Sequence, residues 1–177
     1  MSIPTTQQQA TSAHHLVIGA GPVGTSITLL LVARGTPVTV LTRSGSGPDH
    51  PLVNRVSGDA ADADLVTRCA TGAAAIYNCV NPPYTKWATV WPPIHRALMD
   101  AAARTGAVLV MMDNLYGFGA SASMPMGELD PLLATGTKGS TRARMATELL
   151  DAHAAGRLRG TLARASDSFG PLVIDAN

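Results

Sequence analysis

Leu16-Val17-Ile18-Gly19-Ala20-Gly21-Pro22-Val23-Gly24 is the stretch that decides the fold. Three consecutive aliphatic residues read as a buried strand, and an apolar helical pattern from Thr25 to Ala33 follows without a break. Between the two, Gly19, Gly21 and Gly24 stand at G-x-G-x-x-G spacing. In a strand–turn–helix context each glycine has a physical task. Gly19 permits the tight turn off the strand, Gly21 lets the backbone approach a pyrophosphate, and Gly24 lets the new helix pack on the strand. The N–H groups and dipole of the helix start, where Pro22 and Val23 lie, favour phosphate charge. A glycine-rich turn without a ligand is the plainer alternative, but the strand before and the helix after it favour a dinucleotide held by Gly19, Gly21, Pro22, Val23 and Gly24.

The 177 residues are 46% hydrophobic and 14% charged, which suits one globular α/β domain with a real core. A net charge of +1 with no basic stripe argues against nucleic acid or a membrane surface as partner. The longest apolar segment, Ile27 to Ala33, is too short to span a bilayer. Cys69 and Cys79 show no C-x-x-C spacing and no paired histidines. Reduced thiols in a cytoplasmic protein are expected, without a disulfide framework or a metal site. Residues 1–13 are polar and rich in Gln and read as a disordered tail, leaving 14–177 as the dinucleotide-binding domain.

After the first helix, Gly35 marks a stop and Pro37 to Leu41 reads as the second strand. The residue closing that strand meets the adenosine ribose about 20 residues past the first glycine. A carboxylate there suits NAD, and a basic group suits the extra phosphate of NADP. Here Thr42 and Arg43 stand in its place, so NADP is favoured over NAD unless Arg43 is merely a solvated surface residue. A weak strand follows at Leu52 to Val56. Asp62 is placed to cap a helix from Ala63 to about Ala70. Asp59 is either an acceptor for the adenine amino group, with Ala60 beside it, or an ordinary turn carboxylate. Ala73 to Val80 makes the next strand, and Cys79, Val80 and Asn81 at its end are expected to line the cofactor. The rhythm of strands and helices belongs to a doubly wound parallel sheet, a three-layer Rossmann arrangement.

Asn81 to Pro93 (NPPYTKWATVWPP) departs from that rhythm with four of the twelve prolines and both tryptophans. An extended loop is expected, its aromatic side chains forming a wall of the nicotinamide or substrate pocket or pinning the loop to the body. Pro92-Pro93 would open a helix with Ile94, Ala97, Leu98, Ala101 and Ala102 inward. Ala107 to Met112 is a fully apolar strand, central in the sheet, and Asp113 to Gly119 leaves it at the ligand edge. A helix opened by Gly136 or Thr137 follows, with Ala143, Ala146, Leu149 and Leu150 inward and Arg144 and Glu148 paired outside. Leu158 to Ala165 is the sixth strand.

With these pieces in place the chain resembles the extended and atypical short-chain dehydrogenase/reductases, the NAD-dependent epimerase/dehydratase family. The resemblance is carried by Gly19-x-Gly21-x-x-Gly24, Gly58-Asp59, Asn81-Pro82-Pro83-Tyr84, Asp113-Asn114-Leu115-Tyr116-Gly117, Lys138-Gly139 and Arg164 to Pro171. It implies a Rossmann sheet followed by a smaller C-terminal substrate domain, and Lys138 at the nicotinamide ribose. Two departures stand out. The family's Tyr-x-x-x-Lys pair has no counterpart, because Pro82 and Ala134 stand four residues before Lys86 and Lys138. The family also continues well past the Gly-Pro motif, whereas only Leu172 to Asn177 remain here. A fragment or a shortened protein is expected, and exposed sheet faces would favour a homo-oligomer.

Two functions follow. One is an NAD(P)-dependent epimerase, dehydratase or reductase acting by hydride chemistry on a sugar-nucleotide or other small carbonyl substrate. Tyr84, Tyr116 and Asp113 are its candidate proton donors, and Lys138 supports them. The other is a dinucleotide sensor or regulatory module without turnover, favoured by the missing pair. Phosphate-loop NTPase and hydrolase signatures (GK[ST], G-x-S-x-G, H-E-x-x-H) are absent.

Overall fold

The computed structural model describes residues 13–120, 122 and 124–166, so residues 1–12 of the expected tail and the Asp167-to-Pro171 part of the resemblance lie outside the described residues. Its elements are β1 (His15–Ile18), α1 (Pro22–Val32), β2 (Val38–Thr42), β3 (Val53–Ser57), α2 (Ala63–Ala70), β4 (Ala75–Asn78), α3 (Trp87–Thr105), β5 (Val108–Asn114), α4 (Thr137–Ala154) and β6 (Arg159–Ala165), with 3-10 turns at Tyr84–Lys86 and Tyr116–Phe118. All six strands are parallel, in the order β3-β2-β1-β4-β5-β6. The chain winds outward from β1 to β3, then returns to the other side of β1. Ile18 pairs with Leu41 on one side and with Asn78 on the other, so the segments leaving β1 and β4 diverge from adjacent points. That divergence opens a crevice at the carboxyl edge.

The near-continuous apolar runs of β1 and β2 follow from helices on both faces. Leu16, Ile18 and Leu41 enter one core cluster with residues of α2, α3 and α4, whereas Val17, Val38 and Val40 enter a smaller one against α1. Along β5, Leu109, Met111 and Asp113 are buried while the alternate residues are half-buried. The α1 side of the sheet is thus less covered there. Asp62 caps α2 as its spacing implies, its Oδ1 accepting from the Leu65 N–H at 3.0 Å. No helix among the described residues is long and apolar enough to cross a membrane.

The aromatic stretch corrects the sequence reading. The extended loop ends by Pro83, and α3 begins at Trp87, with Pro92 and Pro93 inside it rather than at its start. Neither proline has an N–H to donate back to Ala88 or Thr89, a cost of about 3 kcal/mol for each interior position. What offsets it is the placement of Trp87 and Trp91 on one helical face, each only 2% exposed within the main core. Burying about 200 Å2 of each indole contributes about 5 kcal/mol. Trp87 also donates its Nε1–H to the Pro82 carbonyl at 2.9 Å, which closes the turn into the helix. Trp91→Ala should therefore lower unfolding free energy by about 3–5 kcal/mol in a denaturant titration.

His95, on the buried face of α3, has Nε2 3.2 Å from Glu148 Oε2 on α4 and is 1% exposed. Glu148 is half exposed and also paired with Arg144 at 3.8 Å, so its pull on the imidazole is shared. Burial, then the guanidinium charges of Arg142, Arg144 and Arg96, push His95 down to about 4. The unfolded chain, with His95 near its ordinary value, binds the extra proton first as pH falls. Stability should be full above pH 6.5 and decline on acidification toward pH 4. His95→Leu should flatten that part of a stability–pH curve measured by urea midpoints.

Candidate active site at the carboxyl edge of the sheet

The glycine loop lies where the backbones of β1, α1 and β4 converge. Gly19 has φ +96°, and a Cβ on it would stand 2.8 Å from the Cys79 carbonyl oxygen. A Cβ on Gly24 would come within 1.9 Å of the Gly19 carbonyl oxygen, so the helix packs as closely as backbone allows. Gly21 differs, because a Cβ there would meet nothing within 4 Å. It caps α1 with no side-chain acceptor, and the first turn carries no acidic residue. The positive end of the helix dipole therefore faces open space beside Gly21 with no counter-charge of its own. That space and those N–H groups of Val23 and Gly24 fit a pyrophosphate.

From Val23 a cleft of about 610 Å3 runs across the switch point to β5 and β6. It brings together Val23, Cys79, Val80, Asn81, Tyr84, Asp113 and Tyr116 from the sequence candidates. The turn after β4 is shaped by Asn78, whose buried side-chain oxygen accepts from the Val80 N–H at 3.3 Å. Burial pushes the Cys79 thiol up to about 12, so Cys79 packs as a neutral group. Lys138, in the first turn of α4, does not line the cleft but stands with Nζ 5.0 Å from the centroid of the Tyr84 ring.

The adenosine candidates sit at the same sheet edge, outside this cleft. Thr42 donates its hydroxyl to the Ser46 carbonyl at 2.9 Å, and the Arg43 carbonyl accepts from Ser57 at 2.8 Å, with the Arg43 residue exposed. Asp59 accepts from the Ala61 N–H at 2.9 Å in a local turn, and Ala60 is buried in the main core.

Asp113 is tied on both oxygens. Arg142 Nε donates to Oδ1 at 2.8 Å, and Arg164 Nε donates to Oδ2 at 3.2 Å. Arg142 also donates to the Met112 carbonyl at 2.8 Å and lies 4.8 Å from the Trp91 ring centroid. The sequence reading placed Ala146 and Leu149 inward correctly but set the edge of the buried face of α4 at Leu150 and so missed Arg142. Gly139, Thr141, Arg142, Met145, Ala146, Leu149 and Ala152 are the buried positions, while Leu150, expected inward, is 42% exposed. The helix turns a cation inward because a carboxylate and two indole faces wait for it. A usable signal was present: Arg142 lies three and four residues before Met145 and Ala146, in line with the apolar stripe. Asp113→Ala would leave two guanidinium groups without their partner and should cost about 3–5 kcal/mol in urea unfolding.

No family model and no curated protein match the chain. Solved structures do. UDP-glucose 4-epimerase from Brucella ovis, in complex with NAD, is 20% identical with a TM-score of 0.75 over 88% of this chain and 52% of its own. UDP-N-acetylglucosamine 4-epimerase from Methanobrevibacter ruminantium, in complex with UDP-N-acetylmuramic acid, is 17% identical with a TM-score of 0.79 over 92% of this chain and 57% of its own. DesIV, a dTDP-glucose 4,6-dehydratase from Streptomyces venezuelae with NAD and TYD bound, is 20% identical with a TM-score of 0.77 over 90% of this chain and 57% of its own. The chain thus spans little more than half the length of these structures. Across that span it has the Rossmann fold found in NAD-dependent epimerases and dehydratases of nucleotide sugars.

Proposed function

We propose that residues 14–177 form a dinucleotide-binding domain of the epimerase/dehydratase family that binds NAD across the carboxyl edge of the sheet and serves hydride chemistry on a sugar-nucleotide or related carbonyl compound. The observation that carries this reading is the cleft that runs from Val23, at the start of α1, to Tyr84, Asp113 and Tyr116, with open space at Gly21 two residues before it. The glycine loop and the start of α1 would hold the pyrophosphate, and the ends of β2 and β3 would meet the adenosine. Asn81 and the aromatic turn would border the nicotinamide. When bound, the dinucleotide supplies hydride donation or acceptance. Trp87 and Trp91 keep that end of the cleft apolar, and Asp113 holds Arg142 and Arg164 in place around it. The Brucella ovis and Streptomyces venezuelae structures carry NAD, which lends no support to the NADP preference suggested by Arg43. The two cysteines of the chain are unpaired, in keeping with a cytoplasmic setting.

A non-catalytic NAD(P)-binding module is the second reading, favoured by the missing Tyr-x-x-x-Lys pair and by Asp113 having both oxygens engaged. Oxidation of NADH or NADPH against a panel of carbonyl compounds separates the two: turnover supports the enzyme, and binding without turnover supports the module.

Binding itself is tested by thermal unfolding. NADH at about a hundred times its dissociation constant should raise the midpoint by about 5–10 °C. Gly21→Val should fold as the parent does, because its Cβ would have no protein atom within 4 Å and φ at −71° suits any residue. The same variant should lose the shift, since the new methyls fill the pyrophosphate space. A parent midpoint unmoved by either NADH or NADPH would overturn the proposal.

A further inference from the structure

We propose that the end of the cleft beside β5 and β6 is a carboxylate subsite anchored by Arg142, and that the compound taken there is an organic acid. Its standing as a substrate rests on the dinucleotide reading above; the binding of its carboxylate does not.

One carboxylate at this end serves two guanidinium groups. Asp113 accepts from Arg142 Nε at 2.8 Å and from Arg164 Nε at 3.2 Å. Two cations and one anion leave the trio with a net charge of +1. The side chains of Arg142, Arg164 and Asp113 are 3%, 17% and 5% exposed, so water screens that charge poorly. Aromatic faces support both cations. The Arg142 guanidinium lies 4.8 Å from the Trp91 ring centroid and 5.8 Å from that of Trp87, and the Arg164 guanidinium lies 5.0 Å from that of Phe118. A ring face lowers the cost of burying a cation but does not cancel its charge.

The hydrogen bonds show the same imbalance. Arg142 donates to Asp113 through Nε and Nη2 and to the Met112 carbonyl through Nη2. Among the described residues no acceptor meets its Nη1, and the residue lines the cleft. The acceptors beside it are already engaged. Both Asp113 oxygens are taken, and Asn114 Oδ1 accepts from the Tyr116 N–H at 3.1 Å. The buried Nε1–H of Trp91 also has no acceptor among the described residues. This end of the cleft therefore has N–H donors and positive charge to spare.

A carboxylate answers both. It is a pure acceptor, and its one negative charge equals the excess. A phosphate monoester carries nearly two negative charges at neutral pH and would leave a poorly screened surplus. A neutral polyol would use the donors and leave the charge unanswered. In the dinucleotide reading the pyrophosphate lies at the α1 end, which leaves the arginine charge for the other compound. Arg142 then sets specificity, and Arg164, which does not line the cleft, acts through Asp113. Without Arg164 the Asp113 charge would neutralise Arg142, and the attraction for an anion would fall.

The test follows the indole 1H–15N signals by NMR during titration. The chain has two tryptophans, so Trp87→Phe assigns Trp91. The probes are acetate against acetamide, lactate against lactamide and D-glucuronate against D-glucose, with inorganic phosphate alongside. At least one carboxylate should move the Trp91 signal to saturation with a dissociation constant about tenfold or more below those of its neutral partner and of phosphate. Arg164→Gln should weaken that carboxylate about tenfold and leave the neutral partner unchanged. Arg142→Gln should abolish the preference; if that variant fails to fold, Arg164→Gln decides alone. The subsite is overturned if no carboxylate outbinds its neutral partner, if phosphate binds as tightly, or if Arg164→Gln keeps the full preference. The NADH melting shift of the parent chain is measured alongside. A carboxylate preference without that shift would sink the dinucleotide reading and leave the subsite standing, and the converse pair of results would do the reverse.

Discussion

The close meeting of three backbones governs the geometry of the carboxyl edge. At Gly19 and Gly24 the chain leaves β1, turns and enters α1 with no room for a side chain between the helix, the turn and the end of β4. Because β4 pairs directly with β1, that contact also sets where Cys79, Val80 and Asn81 emerge. A carbon atom added at Gly24 would drive α1 off the turn, and one added at Gly19 would meet the Cys79 carbonyl at the end of β4. Gly21 belongs to the same loop but answers to a different constraint. No protein atom stands within 4 Å of where its Cβ would lie, so packing alone does not require a glycine there.

A second constraint organises the far end. Asp113, at the end of β5, draws Arg142 of α4 and Arg164 of β6 onto one carboxylate. Three elements are joined there by charge-assisted bonds in a buried setting. The indole of Trp91 covers the Arg142 guanidinium, which gives the cation an electron-rich surface in place of water. The cost of burying these charges is met locally, and the cleft wall keeps its shape without a ligand.

Much of the fold was legible because the local signals agreed with one another. The run Leu16 to Ile18, the glycine spacing and the Asp62 cap each have one short-range cause, and the structure places β1, α1 and α2 accordingly. The aromatic stretch was misread because its prolines are a local signal and its tryptophans a long-range one. Proline argues against helix at Pro92 and Pro93, and only the depth of the pocket under Trp87 and Trp91 reverses that argument. Arg142 escaped for a related reason. A charged residue on an apolar stripe looks like a surface group until its carboxylate partner, far away in sequence, is known. Tyr84 and Lys138 were each singled out from sequence, but their adjacency depends on how α4 docks against the turn after β4.

The two prolines within α3 also carry a mechanical consequence. An α-helix resists bending through its ladder of carbonyl-to-amide bonds, and here two consecutive rungs, at Ala88 and Thr89, have no N–H to close them. The segment that bears Trp87 and Trp91 is therefore jointed to the rest of α3 rather than continuous with it. Downstream of the joint, Leu98, Ala101 and Ala102 are fully buried and anchor the helix to the sheet. Upstream lies the aromatic wall of the cleft. The two open rungs thus fall between the part of α3 that is anchored in the core and the part that borders the cleft.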